Sequence, residues 1–136
     1  RIDAEMTLHD AAITRLSQFW KRSKRAGHAF AEGAALHGAP PERHWVRETR
    51  RALFWGAVVP AAAILGAMLI HPALIGVILL WPLQMARLAW AWRGEGRVGF
   101  QSVLMWVPAK LAEAQGVIGF WIGRLLGRRR GLIEYK

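Results

Sequence analysis

The sequence predicts an all-α protein in which a membrane helical hairpin is flanked by amphipathic interfacial helices. Three observations lead to this class. The chain is 54% hydrophobic with eight tryptophans, which is unusual for a soluble domain of 136 residues. Residues 52–70 carry no formal charge, and a second uncharged run covers residues 72–86. Ten of the 19 Lys and Arg residues precede residue 52 and the other nine follow residue 86, so the positive charge brackets the apolar runs.

The first predicted element is a basic amphipathic helix over about residues 9–26. Thr7 and Asp10 have the spacing of a helix start, in which a hydroxyl caps a backbone amide and a carboxylate lies near the positive helix end. The apolar residues of this segment share one sector of a helical wheel: Ile13, Leu16, Phe19 and Trp20. The basic residues fall mostly on the other side: Arg15, Lys21, Arg22 and Arg25. Such a helix lies on an anionic membrane surface or covers the side of a soluble domain.

Gly27 is expected to end this helix, and a short helical piece is expected over residues 29–36. The next helix is predicted to begin at Pro41 or Glu42 and to enter the membrane after Arg51.

Two spans are predicted over about residues 52–70 and 72–92. The first rises about 28 Å as an α-helix, which matches a hydrocarbon core of about 30 Å. The second reaches this length if Arg87 extends its guanidinium to the headgroups. A turn is predicted at His71 and Pro72, because proline suits the first helical position and biases the preceding residue away from helix. One continuous helix over residues 52–86 is the weaker interpretation, because it would be about 52 Å long.

Several other residues in and around the spans are expected to have specific structural roles. Pro60 and Pro82 should kink the two helices. Small residues should permit close helix packing: Gly56, Ala63, Gly66, Ala67 and Gly76. Six tryptophans are interpreted as interfacial belts: Trp45, Trp55, Trp90, Trp92, Trp106 and Trp121. Trp81 is interpreted as ordinary packing.

The last segment, residues 98–126, is predicted to be one amphipathic helix that Pro108 bends. Its apolar residues recur at alternating spacings of three and four: Phe100, Leu104, Val107, Leu111, Ala114, Ile118, Trp121 and Leu125. Four polar residues interrupt the apolar character: Gln101, Lys110, Glu113 and Gln115. We therefore favour a helix at the cytoplasmic interface, with a tilted or re-entrant span as the alternative. Lys110 and Glu113 are expected to form an ion pair rather than an acid–base couple.

The charge distribution predicts the topology. By the positive-inside rule both flanks of the hairpin are cytoplasmic, and anionic headgroups of the bilayer are the expected partner. The expected membrane-surface anchors are Arg43, Arg47, Arg50, Arg51, Arg128, Arg129 and Arg130. The net charge of +10 would also suit nucleic acid, but that function is disfavoured because the charge follows the spans and is not gathered in one domain.

Few residues suggest catalysis. The chain has nine carboxylates, no cysteine, no Gly-rich phosphate loop, no D-x-D pair and no H-E-x-x-H motif, so we predict no catalytic residue in it. His9 beside Asp10 could contribute to a divalent-metal site completed elsewhere, although a capping pair at a helix start is the favoured interpretation. The other histidines lack the spacing of a metal site.

Three stretches carry a resemblance: RIDAEMTLHD at residues 1–10, QFWKR at 18–22 and RAGHAFAE at 25–32. With the ending from Arg124 to Lys136, they resemble the C-terminal portion of bacterial family 2 glycosyltransferases of the succinoglycan-biosynthesis type. The resemblance covers most of the chain, with generic hydrophobicity between its two ends. It implies that residues 1–40 include the C-terminal edge of a catalytic domain, residues 41–93 form the hairpin, and residues 94–136 form the amphipathic helix and a polybasic tail.

In such enzymes a GT-A-type domain transfers a sugar from a nucleotide donor, using an upstream D-x-D motif, a divalent Mg or Mn ion and an acidic base. The resemblance therefore implies a membrane-anchoring fragment that binds no cofactor itself. Its implied partners are an upstream catalytic domain and a lipid-linked acceptor, at the bacterial inner membrane, in cell-envelope or exopolysaccharide synthesis. The implied groove-edge residues are His9, Asp10, Gln18, Trp20 and Arg22. The order Gln-Phe-Trp-Lys-Arg departs from the Q-x-x-R-W element of processive relatives.

An alternative is a small non-catalytic integral membrane scaffold protein that holds a partner through its hairpin and basic surfaces. The chain begins with Arg1 and not with Met, without a signal-peptide pattern, and this favours the interpretation as a fragment.

Overall fold

The computed structural model describes residues 13–127, which form helices joined by short turns and contain no strand within that range. The helices are α1 (Leu16–His37), α2 (Val46–Leu69), α3 (Pro72–Ala91), α4 (Gly96–Leu104) and α5 (Trp106–Leu125). A 3₁₀ turn at Arg93–Glu95 joins α3 to α4. The all-α class is therefore confirmed for this part of the chain. His9, Asp10, Arg128, Arg129 and Arg130 lie outside the described residues.

Helix α1 differs from the prediction at both ends. It begins at Leu16, where the Oε1 atom of Gln18 accepts hydrogen bonds from the backbone N–H groups of Thr14 and Arg15, each 3.2 Å long. It then continues through Gly27, where a Cβ atom would overlap the backbone carbonyl of Glu113. Gly27 therefore serves close helix packing and not helix termination, and the piece expected over residues 29–36 belongs to the same helix.

Helix α2 begins at Val46, so the predicted start at residue 41 or 42 is wrong. Arg43 and Trp45 have left-handed backbone conformations, with φ of 45° and 50°, which a right-handed helix cannot accommodate. The indole of Trp45 folds back onto α1, where its ring centroid lies 5.5 Å from that of Phe30. The hydroxyl of Thr49 donates to the carbonyl of Trp45 over 2.8 Å and fixes the first turn of α2.

A π-helical turn, Phe54–Val58, interrupts α2. The backbone N–H of Val59 donates to the carbonyl of Phe54, five residues earlier. Pro60 follows this turn directly and has no N–H group to donate, so the predicted disturbance at Pro60 coincides with a departure from α-helical geometry.

The predicted boundary between the two apolar helices is confirmed. α2 ends at Leu69 and α3 begins at Pro72, with His71 in an extended conformation as its N-cap. The Nδ1 atom of His71 accepts a hydrogen bond from the N–H of Ala73 over 3.2 Å. α3 starts as a 3₁₀ helix, Pro72–Leu79, and becomes an α-helix at Leu80, two residues before Pro82.

Helices α2 and α3 contact each other near the turn and again farther along. A Cβ atom at Gly66 would press against the side chain of Leu74, as the packing role of this glycine predicts. At the other contact the indole N–H of Trp81 donates to the carbonyl of Trp55 over 3.1 Å. Gly76 has open space around it, with no atom within 4 Å of an added Cβ, so the expectation that it serves close packing is wrong.

The predicted single helix over residues 98–126 is two helices, because the chain turns at Met105 between α4 and α5. Pro108 occupies the third position of α5, where a backbone N–H would have no partner within the helix. Pro108 therefore belongs to a helix start and does not bend a continuous helix.

The centre of the fold lies where α1, α2 and α5 meet. Ala31, Ala52 and Val117 are completely buried there, and Leu53 and Phe120 pack against them. Glycines permit the close approach: an added Cβ at Gly116 would overlap the carbonyl of Lys24 in α1. A Cβ at Gly56 would similarly overlap the carbonyl of Lys110, so this glycine packs against α5.

Candidate membrane surface and interhelical cavities

Helices α2 and α3 are each long and apolar enough to cross a membrane, judged by length and composition. Their burial separates them from the core helices of soluble proteins, which are mostly enclosed by protein. In the most apolar window of each helix, only 22% of the residues of α2 and 6% of those of α3 are buried. Most residues of α3 are therefore exposed in the described chain.

In a soluble protein large apolar side chains are mostly buried, whereas here many of them are exposed. The buried apolar residues are mostly alanines: Ala31, Ala52, Ala63, Ala112 and Ala114. Large apolar side chains of α2 and α3 lie outside: Ile64, Leu65, Met68, Leu69, Ile75, Leu79, Leu80, Leu83 and Trp90. Small residues at helix contacts are typical of proteins in lipid, where large apolar side chains lose nothing by facing outward. In water, a continuous apolar surface of this kind is rare on a monomer.

Basic residues flank the two apolar runs in the sequence. Those of α1 and of the start of α2 are exposed: Arg15, Lys21, Arg22, Lys24, Arg25, Arg43, Arg47, Arg50 and Arg51. Among residues 13–127 the ion pairs are His37 with Glu42 and Lys110 with Glu113, and the Arg residues make none. The positive charge of the described surface is therefore free to attract anions.

The tryptophans divide into two groups. Trp45, Trp90, Trp92 and Trp121 are exposed, as interfacial belt residues should be. Arg93 lies over the ring of Trp90 and Arg124 over that of Trp121, with guanidinium-to-centroid distances of 4.6 and 5.7 Å.

Trp106 is only 8% exposed and packs edge to face on Trp55, with centroids 5.1 Å apart. The belt interpretation is therefore wrong for Trp106, and Trp55 is its packing partner. Trp81 packs as predicted, through its hydrogen bond to the carbonyl of Trp55.

A cavity of about 460 Å³, named here the α4/α5 cavity, opens between α1, α4 and α5. Its lining combines apolar and polar side chains: Phe19, Val98, Gln101, Ser102, Met105, Trp106, Ala109, Lys110 and Glu113. Lys110 and Glu113 form the predicted ion pair at its wall, with side chains 18% and 12% exposed. Both residues belong to α5, so the pair stabilises this turn of the helix and neutralises both charges at the cavity wall.

The expected groove-edge residues take separate positions. Gln18 caps α1, and Trp20 donates from its Nε1 atom to the Oε1 atom of Gln115 over 3.3 Å. Arg22 is exposed. Phe19, which the sequence did not single out, lines the α4/α5 cavity beside them. The role of these residues at a substrate groove stays a prediction.

Gln101 and Ser102 line this cavity but were not expected at a site. The signal that could have found them is the interruption of an apolar helix by polar residues, which the sequence does show at Gln101.

A second cavity of about 430 Å³, named here the α2/α3 cavity, lies between the two apolar helices. Trp55 of α2 forms one wall, and the others come from α3: Leu80, Leu83, Gln84, Ala86 and Arg87. Arg87 is exposed at this cavity, so its charge lies at the surface of the helix as the sequence predicts. The cavity combines an apolar wall with one amide and one guanidinium.

Within residues 13–127, no three His, Asp or Glu side chains are placed to hold a metal ion. His9, the one residue considered for a metal, lies outside this range. Comparisons with protein-family models, curated proteins and solved structures find no match to the chain.

Proposed function

We propose that the chain is the membrane-anchoring C-terminal part of a glycosyltransferase that uses a nucleotide-sugar donor in cell-envelope or exopolysaccharide synthesis. The observation that supports anchoring is the pair of long apolar helices whose large apolar side chains lie outside. The glycosyltransferase assignment is supported by the resemblance of residues 1–32 and of the C-terminal residues to that family.

The proposed topology places the hairpin in the bacterial inner membrane with both flanks in the cytoplasm. The exposed arginines before and at the start of α2 and the exposed basic residues of α1 support this orientation. Each basic residue near an anionic membrane surface contributes about 1 kcal/mol to binding. The clusters therefore attach the flanking helices to the same leaflet.

The anchor would also orient the catalytic domain. α1 packs tightly on α5 through Gly27 and Gly116, and α5 packs on α2 through Gly56, so α1 is coupled closely to a spanning helix. A catalytic domain joined before α1 would be held at the bilayer, where the effective concentration of a lipid-linked acceptor is high. Mg²⁺ or Mn²⁺ would belong to that domain.

The absence of cysteine offers a direct test of the topology. A single cysteine at Ala39 or at His71 would be the only thiol in the chain, and both positions are exposed. We expect a membrane-impermeant maleimide to label His71→Cys from the periplasmic side of spheroplasts. It should label Ala39→Cys only after the membrane is opened. Labelling of both from the same side would contradict the hairpin, and recovery of the chain in the soluble fraction would contradict anchoring.

The transferase assignment is tested separately in native membranes. The reading frame extended upstream of Arg1 is assayed with a panel of nucleotide sugars and lipid-extract acceptors, with and without residues 1–136. We expect sugar incorporation that falls sharply when these residues are removed. Correct insertion without incorporation from any donor would favour the scaffold protein.

A further inference from the structure

The α2/α3 cavity is an open groove that combines apolar and polar walls. Its volume of about 430 Å³ lies within the range of about 300–1,000 Å³ that is typical of small-molecule sites. Trp55, Leu80 and Leu83 supply apolar walls, and Gln84 and Arg87 supply the polar groups.

Gln84 is the first of the two polar groups that line the cavity. It is only 9% exposed and is the one buried residue of the α-helical part of α3, Leu80–Ala91. No buried polar atom of a described side chain lacks a hydrogen-bond partner, and Gln84 lines the cavity, so its amide is accessible there. A ligand in the cavity could therefore form a hydrogen bond with this amide.

Arg87 is the second polar group that lines the cavity. It lies three residues after Gln84, on the same face of α3, and it is the only Lys or Arg between residues 52 and 92. Its guanidinium forms no ion pair with a described residue. A guanidinium offers several N–H donors in a planar array that matches the oxygens of a phosphate.

The cavity has its polar and apolar groups in a definite order along α3. Leu80 and Leu83 come first, then Gln84, then Arg87 only four residues before the helix ends at Ala91. Leu80 and Arg87 are about 10 Å apart along the helix axis. In a membrane, Arg87 would lie toward the headgroups and the leucines toward the hydrocarbon.

We propose that the α2/α3 cavity binds one anionic glycerophospholipid of the leaflet at this helix end. Its phosphate is held by Arg87 and Gln84, and one acyl chain lies along Leu83, Leu80 and Trp55. The proposal rests on the membrane insertion proposed above. The charge of Arg87 makes the site select an anionic phospholipid over a zwitterionic one.

Native mass spectrometry of the whole chain tests the site. The protein is reconstituted in nanodiscs of equal parts dioleoylphosphatidylglycerol and dioleoylphosphatidylcholine, transferred to mild detergent, and analysed for retained lipid. We expect the wild type to retain one phosphatidylglycerol in preference to phosphatidylcholine. Arg87→Gln should lower this retention about tenfold, because it removes a charge-assisted hydrogen bond.

Arg97→Gln is the matched control. It removes the same charge from α4, and Arg97 is exposed and does not line the cavity. Its retention should equal that of the wild type. Leu83→Phe tests the apolar end separately, since it narrows the cavity without changing charge and should also lower retention.

Equal retention by the wild type and Arg87→Gln would overturn the proposal. So would displacement of the lipid signal by added inorganic phosphate alone, which would indicate an anion site that does not recognise lipid. Membrane insertion is checked by carbonate extraction of membranes from the cells that express each variant. A chain that is extracted fails as an anchor, whereas a chain that stays in the membrane but retains no phosphatidylglycerol refutes only the lipid site.

Discussion

The contact between α1 and α5 and the surface of α3 show two different uses of an apolar helix. Where α1 meets α5, Gly27 and Gly116 let the backbones touch, and His28 packs edge to face on Phe120 with centroids 5.3 Å apart. Along α3, Gly76 faces open space and only Gln84 of the α-helical part is buried. The first helix pair is defined by protein contacts, whereas most of the second surface is exposed.

This difference predicts which substitutions should change the stability of the protein. Close backbone contact leaves no room for additional atoms, so stability in the α1–α5 region depends on single atoms. A helix surrounded by lipid has no fixed neighbour to overlap, so its side chains can change with little cost as long as they remain apolar.

The largest effect should follow from Lys110→Met, which leaves Glu113 charged, mostly enclosed and without its ion-pair partner. Leaving one charge of a partly enclosed pair without its partner costs about 3 kcal/mol, so we expect a loss of this order in the free energy of unfolding in detergent. The measurement is denaturant unfolding followed by tryptophan fluorescence. Arg97→Met is the control, since Arg97 is exposed, and should change stability by less than about 0.5 kcal/mol.

The double variant Lys110→Met with Glu113→Leu sharpens this test. Because both charges are removed together, its stability should return close to that of the wild type. A double variant as unstable as the single one would mean that the methylene groups, and not the charges, hold this part of α5.

The next effect concerns the glycines. Gly27→Ala and Gly116→Ala should each lower stability by about 1–3 kcal/mol, because the new methyl group overlaps a backbone carbonyl of the facing helix. Gly119→Ala in the same α5 meets no atom within 4 Å and should raise stability by up to about 1 kcal/mol through helix propensity. Thermal unfolding by circular dichroism would compare the three. Equal responses at Gly116 and Gly119 would refute the close α1–α5 contact.

These glycines also show which features of the fold could be predicted from the sequence. Gly27 after a basic helix is consistent with either a helix end or a packing site, and only the position of Glu113 decides between them. The boundary at His71 could be predicted, because proline restricts the backbone locally. The left-handed conformation of Trp45 could not, because it depends on contacts with Phe30.

The two cavities depend on long-range contacts in the same way. The Lys110–Glu113 pair was predictable from its spacing along one helix, and it does form. The α2/α3 cavity requires Trp55 from α2 beside Gln84 and Arg87 from α3, and no local pattern in the sequence brings these residues together. The break at Met105 was hidden because the apolar spacing continues across it.

A smaller effect is expected at the turn between α2 and α3. His71→Ala removes the side-chain acceptor of the Ala73 N–H and should lower stability by about 1 kcal/mol, as loss of a helix cap usually does. His71→Asn should restore most of this loss, because asparagine is a strong N-cap residue. If His71→Asn were as unstable as His71→Ala, the role of His71 would not be capping. The thermal midpoints of both variants in the same detergent provide the comparison.

The smallest effect is expected on the exposed side of α3. Arg93→Gln removes the cation over the ring of Trp90 and should cost about 0.5–1 kcal/mol, the value typical of exposed cation–π contacts. The spectral position of tryptophan fluorescence and the denaturation midpoint are the readouts. A loss as large as that for Lys110→Met would show that this surface is packed against protein and not against lipid.

The π-helical turn at Phe54–Val58 changes the direction in which the following residues of α2 face. A turn of this kind holds one more residue than an α-helical turn, which rotates everything after it by about 100° relative to an uninterrupted helix. Before and within the turn, Ala52 and Gly56 meet α5; after it, Gly66 meets α3. Deleting a single residue here would keep the helix apolar but turn Gly66 away from Leu74. The length of this one turn therefore sets the direction in which Gly66 faces relative to Gly56.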